Sequence, residues 1–224
     1  MTLARAAGVI LAKELWTEFR SRELLGTTAV FVLIVVVLFS FTFNPTSSEA
    51  RRFGPGLLWL AFLFAGSLML QSSFLREQTN DTLAALRLAP IDPFSILAGK
   101  MAANFLFLLL VEVILLPVFA VLYNVAILPV LGQLLLVLAL GTIGLAATGT
   151  VFSAVAAQAR LRELLLPLLL LPVLAPVLIA STEATIGILQ DPSELSPVWL
   201  TFLACFDVVF LTAAWMVGEY LLEE

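Results

Sequence analysis

Six long stretches of this sequence carry almost no charge, and this feature limits the possible folds more than any other. A helix needs about 20 apolar residues to cross the hydrocarbon core of a bilayer. With 62% hydrophobic and 12% charged residues, the chain has too little polar surface for a soluble domain. We therefore predict an all-α membrane protein with one transmembrane domain over residues 1–224. The predicted spans are 26–43, 55–75, 101–123, 127–157, 164–189 and 198–222.

The fifth span is unusual because it contains Pro167, Pro172 and Pro176. Each proline removes a backbone donor and kinks a helix. The sequence therefore leaves two interpretations open. In one, the span continues to Leu189. In the other, a shorter helix ends near Ala180 and the residues 181–197 are partly re-entrant.

The fourth span carries small residues at a spacing of four, namely Gly149, Ser153 and Ala157, with Gly141 and Gly144 slightly earlier. Small side chains let helix backbones approach each other closely in lipid. We interpret this face as a packing surface, within the chain or at a subunit interface.

The positions of lysine and arginine predict the orientation in the membrane. Cytoplasmic loops of membrane proteins are enriched in these two residues. Only Arg51 and Arg52, in the first loop, fall on one side of the predicted membrane. The other nine precede the first span or lie in the second and fourth loops, so both termini are predicted to be cytoplasmic. These nine are Arg5, Lys13, Arg20, Arg22, Arg76, Arg87, Lys100, Arg160 and Arg162.

Residues 1–25 have the pattern of an interfacial helix rather than of a signal peptide, because the apolar stretch is too short and is interrupted by charges. At 100° per residue, Lys13 and Arg20 border an apolar arc, and Glu14 and Glu18 lie roughly opposite it. This arrangement is typical of a helix in the headgroup plane. The alternative is an ordinary juxtamembrane anchor, which can also dock a partner. The arc consists of Val9, Leu11, Ala12, Leu15, Trp16 and Phe19.

The second loop contains signals for a short helix. Thr79 or Asn80 can cap it, an acidic side chain occupies its first turn, and Pro90 ends it. These signals predict a helix over Asp81–Ala89 on the cytoplasmic surface. Because it is capped at one end and ended by proline at the other, it is predicted to be short and rigid rather than a flexible linker.

A second helix is predicted to start directly after the first. Asp92 can cap it, and Pro93 occupies its first position, where proline costs no hydrogen bond. This helix is predicted to continue into the third span. In the loop helix before it, Leu83 and Leu86 share a face and Arg87 lies beside them. Exposed leucines favour docking on a protein, and the alternative is an interfacial hairpin packed on lipid.

Two acidic residues fall inside predicted spans, Glu112 in the third and Asp207 in the sixth. An ionised acid at the bilayer centre costs about 3 kcal/mol even on lenient scales. Because no lysine or arginine lies inside a predicted span, each acid is protonated, hydrogen-bonded or exposed to a wet cavity. As functional residues they line a pathway or a partner interface. As structural residues they are neutral and bonded to Asn104, Thr201 or a neighbouring span.

Several function classes are excluded by composition. The chain has no histidine, which removes the commonest general base and metal ligand. The net charge of −5 argues against nucleic acid as a partner. The only cysteine, Cys205, is expected to be a small buried apolar side chain. We predict no catalytic residue, no metal site and no cofactor bound by this chain.

Three runs of the sequence resemble the CcmB family. This chain has Asp81 and Ala84 where the family pattern has a glycine before the Thr-Leu pair and an acidic residue after it. The resemblance covers essentially the whole chain. The runs are Gly54-Pro55-Gly56-Leu57-Leu58-Trp59, then Thr82-Leu83-Ala84-Ala85-Leu86-Arg87-Leu88-Ala89-Pro90-Ile91-Asp92, and then Gly99-Lys100.

The resemblance implies the permease subunit of a haem-exporter-like ABC system of cytochrome c maturation in a bacterial inner membrane. It implies an ABC-2 exporter permease-like fold in which Asp81–Ala89 is the coupling helix. The implied partners are a cytoplasmic ABC ATPase, other membrane subunits of the maturation system and a second permease copy. Haem would be cargo of the complex, which passes it to a periplasmic chaperone or releases the loaded chaperone.

Gly99-Lys100-Met101 agrees with a separate ATPase subunit, because it lacks the upstream glycine and the Ser or Thr of a phosphate loop. Two other function classes remain open. One is an ABC-2 permease for a lipid, a glycan or a drug, and the other is a non-transporting membrane scaffold that holds partner subunits.

Overall fold

A computed structural model describes residues 2–41, 48–79, 92–157, 162–190 and 193–223. These residues form seven α-helices and no β-strand, and six of the helices are long and apolar enough to cross a membrane. The predicted all-α class and the predicted number of spans are confirmed, and the chain is a multi-pass membrane protein. The helices are α1 (Leu3–Ser21), α2 (Glu23–Ser40), α3 (Ser48–Thr79), α4 (Pro93–Leu122), α5 (Leu131–Ala157), α6 (Arg162–Leu189) and α7 (Pro197–Glu223), with a 3₁₀ turn over Leu128–Val130.

The chain turns sharply between α1 and α2. Arg22 adopts a left-handed conformation, with φ of 55°, and its N–H donates to the carbonyl of Glu18. The side-chain carboxylate of Glu18 also accepts a hydrogen bond, 2.8 Å long, from the N–H of Leu25. This bond satisfies a backbone donor that the first turn of α2 leaves unpaired. Glu18 is therefore a capping residue and is buried, with only 1% of its surface exposed.

The predicted start of the third membrane helix is confirmed. The side chain of Asp92 accepts a 2.8 Å hydrogen bond from the N–H of Phe94, and Pro93 occupies the first turn. From there α4 continues without a break to Leu122. The predicted helix Asp81–Ala89 lies outside the described residues.

Helix α5 is the central element, because it packs against α3, α4, α6 and α7. Its glycines allow this close packing. The indole of Trp59 occupies the space that a side chain at position 141 would need, and the side chain of Leu70 does the same at position 149. Ser153 adds a 2.6 Å hydrogen bond to the carbonyl of Leu70. Gly141, Gly149 and Ser153 of the fourth span therefore pack inside this chain.

Of the two interpretations of the fifth span, the structure agrees with the one that continues to Leu189, because α6 is helical throughout Arg162–Leu189 despite its three prolines. The described residues 181–189 continue this helix, and α7 begins at Pro197. Neighbouring helices hold this part of α6 in place. Thr185 of α6 accepts a buried 3.0 Å hydrogen bond from the indole N–H of Trp59 in α3. Tertiary contacts of this kind make proline acceptable inside membrane helices.

Contacts at the helix ends define two ends of the bundle. At one end, α1 packs against the start of α4, and a Cβ atom on Gly218 would lie 2.9 Å from the ring of Phe94. At the other end, Ser193 bonds to Gln133 over 3.3 Å. The end of the bundle that contains Phe94 is therefore formed by α1, the start of α4 and the last turns of α7. This is the end at which the 80–91 segment joins α3 to α4.

Candidate functional site

The acidic side of α1 faces the protein, and its aromatic side faces outward. Trp16 and Phe19 are 73% and 57% exposed, whereas Ala6, Ile10 and Glu18 are buried. The predicted apolar arc is divided, because Leu11 and Leu15 are half-buried against the bundle core while Trp16 and Phe19 are exposed. The sequence pattern did not indicate that the acidic side would be buried against the bundle.

A buried lysine connects three parts of the chain. The Nζ atom of Lys100 in α4 lies 2.8 Å from Oε1 of Glu14 in α1 and 2.8 Å from the carbonyl oxygen of Ser73 in α3. The side chain of Lys100 is 0% exposed and that of Glu14 is 14% exposed. A charged pair in such a position persists only when it is well hydrogen-bonded. This three-way contact is called the Lys100 junction below.

Two effects act on the carboxyl group of Glu14. Burial raises its pKa, but Lys100, with a smaller contribution from Lys13, outweighs burial and holds the pKa below the ordinary value of 4.5. The carboxylate therefore stabilises the fold fully above that ordinary value. This stabilisation is lost as the pH falls through the lowered pKa.

The acid of the third span has a hydroxyl partner. Thr142 of α5 has its Oγ1 atom 2.8 Å from Oε1 and 2.7 Å from Oε2 of Glu112. Glu112 is 1% exposed and Thr142 is 0% exposed. The partner belongs to a neighbouring span, as one of the interpretations above had it. Asn104 is not that partner, because its side-chain amide donates to Thr150 over 2.9 Å.

The acid of the sixth span is placed differently. Asp207 is 5% exposed, and neither of its carboxyl oxygens has a hydrogen-bond partner among the described residues. It packs against Gly144, where a Cβ atom would lie 2.9 Å from Oδ1 of Asp207. The hydroxyl of Thr201 donates to the carbonyl of Pro197 and is not paired with Asp207. The structure therefore keeps Glu112 and Asp207 in separate surroundings.

The remaining predicted residues have mixed outcomes. Cys205 is exposed on α7, so the prediction of a buried cysteine is wrong. Gly99 and Lys100 lie inside helix α4 and not in a loop before a helix, which is where a phosphate loop would need them. The predicted docking residues Asp81, Leu83, Leu86 and Arg87 lie outside the described residues.

The Lys100 junction is the feature that sequence reasoning missed. The sequence analysis counts Lys100 among the cytoplasmic charges of the second loop, on the helix predicted to run from Asp92 into the third span, and gives it no partner. A signal was present in the predicted cap at Asp92 and Pro93. When the helical period is counted from there, Lys100 falls on the same face as Ile96 and Asn104, and all three are buried.

Comparisons with known proteins give one consistent result. The family model described as "CcmB protein" matches residues 5–217. The chain is 32% identical over 217 residues to Heme exporter protein B of Pseudomonas aeruginosa, which covers 96% of this chain and 97% of that protein. It is 31% identical over 206 residues to Heme exporter protein B of Paracoccus denitrificans, covering 92% and 93% of the two chains. Heme exporter protein B of Rhodobacter capsulatus is 33% identical over 174 residues, covering 78% and 79%. This chain belongs to the CcmB family.

Proposed function

We propose that this chain is the permease subunit of an ABC-type complex of cytochrome c maturation. In that complex, ATP hydrolysis by a separate chain drives export of haem or release of the haem-loaded chaperone. The observation that carries the proposal is the match over 96% of this chain to a protein named Heme exporter protein B. The proposed location is the bacterial inner membrane, with both termini in the cytoplasm.

The structural position of the Gly99-Lys100 pair supports a separate ATPase subunit. Its lysine is fully buried in an ion pair with Glu14, so it is not available to bind a nucleotide phosphate. We assign the ATPase activity to a cytoplasmic partner that docks on Asp81–Ala89. Support for this docking element comes from its two anchors, the continuous helix α3 before it and the capped start of α4 after it.

The filled interior of the bundle supports a role in transmitting force. Large side chains such as Trp59, Phe62 and Leu138 are almost completely buried at the centre of the described helices. A haem-sized ligand cannot lie among these three side chains without displacing them, so a path for haem would run elsewhere or between subunits. We therefore include two permease copies and further membrane subunits in the proposed complex.

The proposal is tested by purifying the tagged chain in a mild detergent and identifying the chains that accompany it. We expect an ABC ATPase and membrane subunits of cytochrome c maturation. Deleting the gene should abolish mature c-type cytochromes, and the wild-type chain should restore them. Membrane subunits without any ATPase would indicate the scaffold function. Normal cytochromes in the deletion strain would indicate a permease for a different cargo.

The orientation is tested with reporter fusions at Asn44 and Arg160. Nine of the eleven lysine and arginine residues lie on one predicted side, so the Arg160 fusion should be active only with a cytoplasmic reporter. The Asn44 fusion should be active only with a periplasmic reporter. Equal cytoplasmic signal from both fusions would contradict the orientation.

Haem ligation is tested by recording the absorption spectrum of the chain purified alone. We expect no stoichiometric low-spin haem, because the chain has no histidine and its one cysteine, Cys205, stands in no recognisable haem motif. Tyr123 is buried and stacked on Phe119, so its position is structural. Axial ligands should come from other subunits. A low-spin haem spectrum that disappears in Cys205→Ala would refute this expectation.

A further inference from the structure

We propose that Lys100 is a positioning residue. It ties α1 to the last turns of α3 and the first turns of α4, so that α1 and these two helix ends move as one unit. The inference rests on the proposed docking function, because it says which other part of the chain responds when a partner acts on Asp81–Ala89.

The position of the junction is the first argument. Ser73 lies about two helical turns before α3 ends at Thr79, and Lys100 lies about two turns after α4 begins at Pro93. The hydrogen bond from Lys100 to the carbonyl of Ser73 therefore joins the end of α3 to the start of α4, close to where the two helices lead to the segment. The bond from the same nitrogen to Glu14 joins α1 to these two helix ends.

The backbone contact beside the junction is an independent argument. A Cβ atom built on Gly99 would lie 2.7 Å from Cβ of Ile10 and 2.8 Å from the carbonyl oxygen of Ala7. These separations show that α1 rests directly on the backbone of α4 at this glycine. Two neighbouring residues of α4 thus hold α1, one by close packing and the other by charge.

The cost of burying charge indicates what the junction does. An ion pair inside a protein is often no more stable than apolar residues of similar volume in the same place. Stability alone therefore does not account for a lysine that is 0% exposed here. An ion pair does fix the relative position of the elements that it joins. The bond to the carbonyl of Ser73 fixes the position of α3 relative to α4, and an apolar side chain at position 100 could not form it.

Lys13 provides a matched control. It also contacts Oε1 of Glu14, but over 3.3 Å and with 42% of its side chain exposed. An exposed pair of this kind contributes little. Changing Lys13 therefore removes a positive charge beside the same carboxylate but leaves the bonds of Lys100 between α1, α3 and α4 intact.

The experiment compares Lys100→Met, the double variant Glu14→Met with Lys100→Met, and Lys13→Met in the complete complex. Three quantities are measured, namely thermal stability, co-purification of the ATPase, and hydrogen–deuterium exchange with and without ATP. In the wild type, ATP should change exchange in residues 3–21 and in residues 80–100 together. In the double variant, stability and co-purification should stay near wild type, whereas residues 3–21 should no longer respond.

Cytochrome c maturation should fall about tenfold in the double variant, which is within the range of coupling between sites in proteins. Lys13→Met should behave like wild type in every measurement. Exchange in residues 3–21 that still responds to ATP in the double variant would overturn this inference alone. Full maturation in the double variant would also overturn it, because the junction would then only stabilise the fold. Absence of any ATPase from the wild-type complex would overturn the proposed function as well.

If Lys100→Met alone proves unstable, Glu14→Gln takes its place. The amide keeps a hydrogen bond to the lysine but removes the charge of the acceptor. It should retain assembly and show an intermediate loss of the α1 response. A response equal to that of the wild type would count against the inference.

Discussion

Changing Leu83 and Leu86 to aspartate in the same chain is expected to abolish docking of the partner ATPase. Each leucine buried in such an interface contributes roughly 1.5–3 kcal/mol. Loss of both corresponds to roughly 3–6 kcal/mol, which weakens binding by about two to four orders of magnitude. The measurements are co-purification of the ATPase and the amount of mature c-type cytochrome, after normal membrane insertion of the variant has been checked.

Leu88→Asp is the control for this pair. At 100° per residue, position 88 of the predicted helix lies roughly 140° from position 83, away from the proposed docking face. The same chemical change there should have a much smaller effect. Arg87→Ala should also have a small effect, because an exposed ion pair contributes about 0–1 kcal/mol. An intact complex and normal cytochromes in the Leu83 and Leu86 variant would leave this segment as a lipid-facing hairpin.

Local chemistry was sufficient to predict several parts of the fold. The cap at Asp92 and Pro93 depends only on a side chain and the backbone two residues away, and the structure has it as predicted. The packing face of the fourth span depends only on side-chain size. Gly141 and Gly149 are filled by side chains of α3, which is the outcome that small residues favour in lipid.

The Lys100 junction was not predicted, because two of its three groups lie far apart in sequence and the third is a backbone carbonyl. Glu14 and Lys100 are separated by 86 positions, and no local pattern pairs them. The predicted span began at residue 101 because Lys100 is charged, although the predicted helix already began at the Asp92 cap. A charged residue in the first turns of a capped helix can therefore belong to the core.

The error at Cys205 and the two interpretations left open for the end of α6 have the same origin. Whether three prolines end a helix depends on the neighbours that hold the chain in place, and Trp59 is such a neighbour for α6. Likewise, an apolar stretch of sequence does not tell which of its faces meets the protein. Helix α7 presents the face with Cys205 outward and the face with Asp207 inward.

Glu112→Gln is expected to leave stability and cytochrome c maturation close to wild type, whereas Thr142→Val should lower the thermal stability. A threonine hydroxyl has one proton, yet its oxygen lies within 2.8 Å of both carboxyl oxygens of Glu112. A neutral acid fits this geometry best, because it accepts one hydrogen bond from the hydroxyl and donates another to it. Glutamine can form the same pair of bonds through its carbonyl and amide groups.

Valine in place of Thr142 keeps the shape but removes the only hydrogen-bond partner that the described residues give Glu112. A buried polar group without its partner costs about 1–3 kcal/mol. The double variant, Glu112→Leu with Thr142→Val, should recover part of that loss, because it removes both polar groups together. Thermal unfolding in detergent measures these differences, and cytochrome c levels in cells show whether function follows stability.

The same variants separate the two interpretations of this acid. If Glu112 acts as an ionised group in a wet pathway, glutamine should abolish maturation while the protein remains as stable as the wild type. If the acid is a neutral structural group, loss of function should appear only in the variants that lose stability. We expect the second result, because the hydroxyl of Thr142 meets both carboxyl oxygens and the pair is fully enclosed by the bundle.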